Sequence, residues 1–206
     1  MFKITVLDNN VWVSEGIRCY FKSKYVEVNM VQYNHLESAF EKIYHSDVIV
    51  SELLIFNRKR PCSFENIMAL RKTLRSKCMI ILTTIEDEAL VNYVRKKIPQ
   101  ATILNKKTKT CELALKIITK LTNGENTKEE LKTKPGKLIC LTDKEMEILQ
   151  HLLMDKKIND IASHFRILPK TVCHHRKNIM LKLKCKSSID LNNYIIKIKH
   201  KLGIDN

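Results

Sequence analysis

The stretch that most constrains the fold is residues 169–183, which combine a proline start with two separate helical stripes. Pro169 suits the first turn of a helix, where a missing N–H costs no hydrogen bond. Apolar side chains recur at helical spacing on one face, at Val172, Ile179 and Leu183. Donor side chains follow the i, i+4, i+7 spacing on another face, at Lys170, His174 and Lys177. The pattern predicts a short helix that buries one stripe and presents hydrogen-bond donors along the other.

A second short helix and a tight turn precede this segment. Residues 158–165 place apolar side chains on one side, and the small Ala162 allows two helices to cross closely. Residues 166–168 leave room only for a turn. Base edges and phosphates in the major groove offer many acceptors, so a donor-lined helix after a helix and a turn indicates a helix-turn-helix that binds DNA.

A capping box marks the start of a further helix upstream. Thr142 is the predicted N-cap, and Glu145 follows three residues later. The block from residue 138 to about 200 contains the motifs "LTDKEMEIL" at 141–149, the "IA" pair at 161–162 and "PKTVCHHRKNIMLKL" at 169–183. Through these motifs the block resembles the LuxR-type DNA-binding domain of the NarL/FixJ family of bacterial regulators. The resemblance implies a transcription regulator that binds double-stranded DNA sequence-specifically.

The recognition helix is expected to span about Pro169–Leu183. The residues expected to contact phosphates are Lys170, Thr171 and Arg176. His174 and Lys177 are expected to contact base edges, Cys173 to face the groove, and His175 to buttress the helix or touch a phosphate. Nearby Lys and His would help to form a thiolate, which makes a redox switch at Cys173 an alternative. The favoured interpretation is a small residue that allows close approach to DNA. Adjacent histidines on a helix point about 100° apart, so they do not converge on one metal ion.

The last predicted helix carries two apolar stripes and has Ser187 or Ser188 as its N-cap. One stripe consists of Ile189, Asn193 and Ile196, and the other of Leu191, Ile195 and Ile198. Both stripes could serve the core of the helical block. The resemblance implies instead that this helix pairs two subunits on a roughly palindromic site.

The first 122 residues alternate between short apolar runs and amphipathic segments. The predicted strands lie at residues 4–7, 26–31, 48–50, 79–82 and 103–104. The predicted helices lie near residues 11–23, 36–45, 64–76, 86–97 and 109–121. Continuous apolar strands separated by helices indicate a parallel sheet covered on both faces, here an α/β flavodoxin-like, doubly wound five-stranded domain. This block is similar to the receiver domain that precedes the helix-turn-helix in the same family.

The receiver resemblance is weakened at the positions that carry its chemistry. A working receiver holds Mg²⁺ between carboxylates at strand ends, and an aspartate accepts the phosphoryl group. Here the aligned pocket residues are Asp8, Asn9, Glu52, Thr83 and Asn105. Glu52 is one methylene longer than Asp, Asn9 removes a charge from the metal site, and Asn105 stands where the family has lysine unless Lys106 swings in. We therefore expect a pseudo-receiver, in which Glu52 either imitates a charged acceptor beside Thr83 or is a solvated strand-end residue.

The amino-acid composition limits the classes of protein to which this chain can belong. The 206 residues carry a net charge of +15, spread over both halves, which favours a polyanionic partner. Seven cysteines without C-x-x-C spacing indicate reduced thiols and a cytoplasmic protein. No apolar run is long enough for a membrane span, and the N-terminus lacks the core of a signal peptide. Without a Gly-rich phosphate loop or a nucleophile elbow, we expect no enzyme and no cofactor.

These patterns predict a receiver-like domain at 1–122, a polar linker at 123–137 and a helix-turn-helix domain at 138–206. The helix-turn-helix domain is expected to be an independent unit with its own core. The leading function is a phosphorylation-independent, homodimeric DNA-binding regulator. A phosphorylatable response regulator, and an accessory partner that forms a heterodimer with a related regulator, remain alternatives.

Overall fold

The computed structural model describes residues 2–8, 10–22, 26–31, 41–53, 78–123 and 139–201. Asn9, the helix predicted at 64–76, the first half of the helix predicted at 36–45 and nearly all of the predicted linker lie outside these residues.

The N-terminal half is a five-stranded parallel sheet with strand order β2-β1-β3-β4-β5. The strands are β1 (Phe2–Leu7), β2 (Val26–Val31), β3 (Val48–Ser51), β4 (Cys78–Thr83) and β5 (Thr102–Asn105). The helices described from end to end in this half are α1 (Val11–Phe21), α2 (Glu88–Lys97) and α3 (Thr110–Asn123), and residues 41–44 are also helical. The strand order places the carboxyl ends of β1, β3 and β4 side by side, at the edge where ligands bind in doubly wound sheets.

Alternation along the central strands builds two apolar layers, because successive side chains point to opposite faces of a sheet. On one face, Ile4 and Val6 of β1 pack in a cluster with Ile17 of α1 and Ile117 of α3. On the other face, Ile49 and Ile81 join a cluster that includes Leu90 and Val94 of α2. Both faces are covered, as the continuous apolar strands predict, and the predicted fold class is confirmed.

The C-terminal block consists of four helices. They are α4 (Asp143–Leu153), α5 (Ile158–Phe165), α6 (Pro169–Lys182) and α7 (Ser188–Lys201). Their apolar stripes meet in a common core that contains Met146 and Leu149 of α4, Ile161 of α5, Ile179 of α6 and Ile195 of α7.

The two halves touch along α2. One apolar cluster runs from α2 into the helical block. Polar contacts join the same surfaces: Asn92 donates to the carbonyl of Ile139 at 3.1 Å, and the Tyr93 hydroxyl donates to Asp143 at 2.9 Å. Lys97 forms an ion pair with the same aspartate at 2.6 Å. Burial, followed by the hydrogen bond to Asp143, raises the pKa of Tyr93.

Within the described residues, none of the helices combines the length and apolar character needed to cross a membrane.

Candidate functional site

The position of α6 is set by the turn before it. Helix α5 ends at Arg166 in the left-handed conformation, with φ 53°, and the Ile167 N–H donates to the carbonyl of Ala162 at 3.0 Å. Leu168 is then an extended N-cap, and Pro169 occupies the first turn of α6. The predicted apolar stripe of α6 is buried at Val172, Ile179 and Leu183. This stripe fixes the rotation of α6 about its axis, so the opposite edge faces outward.

The far end of α6 is tied to the first turn of α4. The predicted capping box is present: Thr142 accepts from the Glu145 N–H at 3.3 Å, and the Glu145 carboxylate accepts from the Thr142 N–H at 2.7 Å. Lys182, in the last turn of α6, forms an ion pair with the same carboxylate at 2.6 Å. Burial opposes ionisation of Glu145, but Lys182 and the Thr142 N–H outweigh it and lower its pKa. One buried carboxylate therefore caps α4 and anchors α6.

The outward edge of α6 carries the predicted donor residues. The exposed members of the predicted set are Lys170, Cys173, His174 and Lys177. The half-buried members are Thr171, His175 and Arg176. The exposed four lie along one edge, since residues three, four and seven apart share a face of a helix. The result is an uncovered, basic strip on a rigid element.

The neighbouring histidines of α6 diverge. The ring centroids of His174 and His175 are 6.3 Å apart, with planes inclined at 65°. Among the residues that the structure describes, no group of three or more His, Cys, Asp or Glu side chains is placed to hold a metal ion.

In the receiver-like half, three of the predicted pocket residues come together with a lysine. Asp8 follows β1, Glu52 follows β3 and Thr83 ends β4. Thr83 donates a hydrogen bond to the Glu52 carboxylate. The Lys106 ammonium lies 2.7 Å from Asp8 and 2.6 Å from Glu52. Glu52 is almost fully buried, so the interpretation of it as a solvated strand-end residue is wrong.

The prediction that Asn105 lines this pocket is also wrong. Asn105 pairs with Thr83 in the sheet register, but its side chain donates to Glu86 at 2.6 Å and accepts from the Lys107 N–H at 2.8 Å. Lys106, in the turn that follows β5, instead places its ammonium on the two carboxylates. The family has a lysine in this pocket, and the prediction of Asn105 removed it. The structure places the ammonium of Lys106 inside the pocket. Asn9 lies outside the described residues.

The pocket does not fit the Mg²⁺ that a working receiver holds. Asp8 accepts from the Asn10 N–H at 2.8 Å through one oxygen and from Lys106 through the other. Glu52 accepts from the Leu53 N–H at 2.7 Å through one oxygen, and its other oxygen forms an ion pair with Lys106 at 2.6 Å. Lys106 therefore lies against one oxygen of each carboxylate, and its ammonium would repel a second cation. Mg²⁺ needs such oxygens as ligands.

Burial and ion pairing shift the pKa values of this cluster in opposite directions. Burial raises the pKa of Glu52, and Lys106 offsets part of that effect. Burial would lower the pKa of Lys106, but the two carboxylates outweigh it and raise the pKa. The three side chains form one ion-paired cluster within the protein.

The helical block also matches a known family. Residues 140–195 match the family model described as bacterial regulatory proteins, luxR family. They form a luxR-family domain. The resemblance predicted from the sequence is confirmed, and the capping box and the outward edge of α6 both lie inside the matched region.

Named relatives match about a third of the chain. The DNA-binding transcriptional activator EvgA of Escherichia coli (strain K12), and the same protein in Shigella flexneri, are each 37% identical over 67 residues. The match covers 32% of this chain and 32% of EvgA, so the chain spans about a third of the length of these relatives.

Solved structures resemble the whole chain. RcsB from Salmonella enterica serovar Typhimurium, bound to promoter rprA in the presence of phosphomimetic BeF3-, has a TM-score of 0.71 at 22% identity, over 95% of this chain and 98% of that chain. A structure of two RcsB dimers bound to two parallel DNAs has a TM-score of 0.70 at 21% identity, over the same shares. At this identity the likeness establishes the fold: a receiver-like domain followed by a luxR-family domain.

Sequence reasoning missed two residues that organise these sites. Lys182 was not recognised as the anchor of α6, although it is one of the lysines in the quoted family motif. Lys106 was considered only as an alternative to Asn105. Each of these lysines pairs with a buried carboxylate that is distant in sequence. Such a pair can be recognised only once the packing of the helices and strands is known.

Proposed function

We propose that this protein is a transcription regulator that binds double-stranded DNA sequence-specifically. The observation that carries the proposal is the exposed edge of α6, with Lys170, Cys173, His174 and Lys177 uncovered at the surface of a luxR-family domain. The relative EvgA is named as a DNA-binding transcriptional activator, and an RcsB–DNA complex is among the similar structures. A basic, donor-rich helix edge suits the acceptors of the major groove.

Within this proposal, the seven predicted residues have different roles. His174 and Lys177, in the middle of the exposed edge, contact base edges. The phosphate contacts come from Lys170, Thr171 and Arg176. Cys173 lies against the floor of the groove, where a small side chain permits close approach, and His175 supports the helix from its half-buried position.

We propose a homodimer, in which α7 contributes to pairing. The stripe of Leu191, Ile195 and Ile198 is buried in the core. The other stripe points outward, with Ile189 70% exposed and Ile196 62% exposed. An isolated pair of exposed isoleucines suits a small symmetric contact between two copies bound to a roughly palindromic site. Sedimentation with and without DNA distinguishes this homodimer from a chain that pairs only with a related regulator. Without that second protein, such a chain would remain a monomer even when it is bound to DNA.

We propose further that regulation does not depend on phosphorylation. The support is the closed cluster of Asp8, Glu52 and Lys106, which occupies the position of the acceptor site. The protein would then act as a non-enzymatic cytoplasmic regulator, in keeping with the free thiols at the six cysteines that the structure describes.

The test is selection of binding sites from random duplexes, followed by titration of the selected operator with variants. Lys177→Ala is expected to weaken operator binding by about 1–3 kcal/mol and to relax the base preference at one position. Lys22→Ala, at an exposed lysine of the receiver-like domain, is the matched control and should bind like the wild type. Unchanged affinity and preference in Lys177→Ala would refute the assignment of α6 as the recognition helix.

A further inference from the structure

The N-terminal end of α6 carries an apolar side chain in a position where the core cannot use it. Leu168 is 72% exposed. Its neighbour Ile167 packs against the core cluster, whereas Leu168 is not part of that cluster. Leu168 adopts the extended N-cap conformation but offers no side-chain cap to the helix. Its isobutyl group therefore contributes neither to the core nor to helix capping.

The place of Leu168 in the helix-turn-helix limits what can cover it. Recognition helices direct their N-terminal residues at base edges. Leu168 lies immediately before Pro169 and Lys170, at the start of the exposed edge of α6. It has no hydrogen-bond donor for a phosphate or a base. The one apolar group on the major-groove edge of a base pair is the C5-methyl of thymine.

We infer that Leu168 contacts a thymine C5-methyl in the operator and so determines specificity for a T·A pair at one position of each half-site. This inference rests on the proposed DNA-binding function and adds to it an apolar contact beside the polar ones of His174 and Lys177. The contact removes both the leucine side chain and the methyl group from water.

A second leucine of α6 provides a matched control. Leu181 is 67% exposed, so truncating it removes the same atoms from the surface of the same helix. It lies 13 residues after Leu168, or about 20 Å along the helix axis. Since the N-terminal residues of the helix approach the bases, Leu181 lies away from the base edges.

The test replaces each thymine of the selected operator in turn with deoxyuridine, which lacks only the C5-methyl. Wild-type protein should lose about fourfold in affinity at one thymine of a half-site, the effect of burying one methyl-sized group. Leu168→Ala should bind the unmodified operator correspondingly less tightly and should be insensitive to uracil at that position. Leu181→Ala should keep the sensitivity of the wild type. Because both leucines are exposed, both variants are expected to fold, which circular dichroism checks.

The inference is overturned if wild-type protein tolerates uracil at every position, or if Leu168→Ala remains as sensitive as the wild type. Loss of sensitivity in Leu181→Ala as well would assign the effect to the helix as a whole and would also overturn it. Failure of the wild type to prefer any selected operator is a different result, since that would remove the proposed function itself.

Discussion

At the scale of single residues, Lys106 has the largest consequence for function. It is largely buried and bridges two carboxylates on different strand ends. Removing one partner from a buried ion cluster leaves uncompensated charge in a poorly solvated place, which costs more than the pair contributed. Lys106 therefore stabilises the receiver-like domain at the position where a working receiver does its chemistry.

Replacing Lys106 should destabilise the domain strongly. Lys106→Met is expected to lower the free energy of unfolding by roughly 3 kcal/mol, because Asp8 and Glu52 lose their shared donor. Lys107→Met is the control, since that neighbouring side chain is exposed. Urea unfolding of the two variants measures the difference, and equal stability would show that the cluster contributes little.

The same residues predict no phosphorylation. Incubation of the intact protein with Mg²⁺ and acetyl phosphate should give no mass shift, because the Glu52 oxygens are already occupied by Lys106 and the Leu53 N–H. Intact-protein mass spectrometry makes the measurement. A phosphoryl adduct that disappears in Glu52→Gln would instead support the phosphorylatable alternative.

At the scale of elements, the anchor between α4 and α6 depends on the ionised form of Glu145. The pKa of this group is lowered below its ordinary 4.5 in the folded state. Its contribution to stability is therefore present above about pH 4.5 and is lost as the pH falls through the lower, folded-state pKa.

Glu145→Gln should remove this part of the acid sensitivity. The variant is expected to be less stable by roughly 2 kcal/mol at pH 7, because Gln can keep the hydrogen bond from the Thr142 N–H but loses the charge that pairs with Lys182. It should also lose less further stability than the wild type as the pH falls below 4.5. Glu147→Gln is the control, since that carboxylate is 41% exposed and forms its ion pair with Lys144 of the same helix. Thermal unfolding followed by circular dichroism from pH 7 to pH 3 provides the comparison. Parallel curves for the wild type and Glu145→Gln would contradict the role of the anchor.

The elements themselves were largely predictable from sequence, for physical reasons. The capping box of α4, the proline start of α6 and the apolar runs of the strands are local signals, and local signals fix where helices and strands begin. The two stripes of α7 could not be told apart by periodicity, because both are apolar and only the packed structure decides that Ile195 is buried and Ile196 is not. The Lys106 pocket depends on contacts between residues about 50 and 100 positions apart in sequence, which no local pattern encodes.

At the scale of the whole molecule, α2 joins the two halves while α6 remains uncovered. The contacts of Asn92, Tyr93 and Lys97 lie on the first helix of the helical block and the segment before it. The exposed edge of α6 is open in this same arrangement. The receiver-like domain therefore holds the luxR-family domain without blocking the proposed DNA-binding surface.

The isolated fragment 138–206 should fold but bind operator more weakly than the full chain. Its exposed stripe on α7 offers only a small pairing surface, so most of the pairing energy should come from the N-terminal domain. Two linked half-site contacts gain affinity from effective concentration, and their separation should cost roughly a hundredfold. Titration of both chains against one operator at equal salt tests this. Equal affinities would mean that the N-terminal domain does not drive pairing and would assign it to partner docking.

The central claim is that the unphosphorylated chain reads DNA sequence through α6. The most direct measurement is the ratio of its affinities for the selected operator and for a scrambled duplex of the same composition, at physiological salt and without any phosphoryl donor. Specific recognition predicts a ratio of about a thousand or more. A ratio near one, with an affinity that changes with salt but not with DNA sequence, would mean that the basic edge of α6 binds polyanions non-specifically. That result would contradict the account.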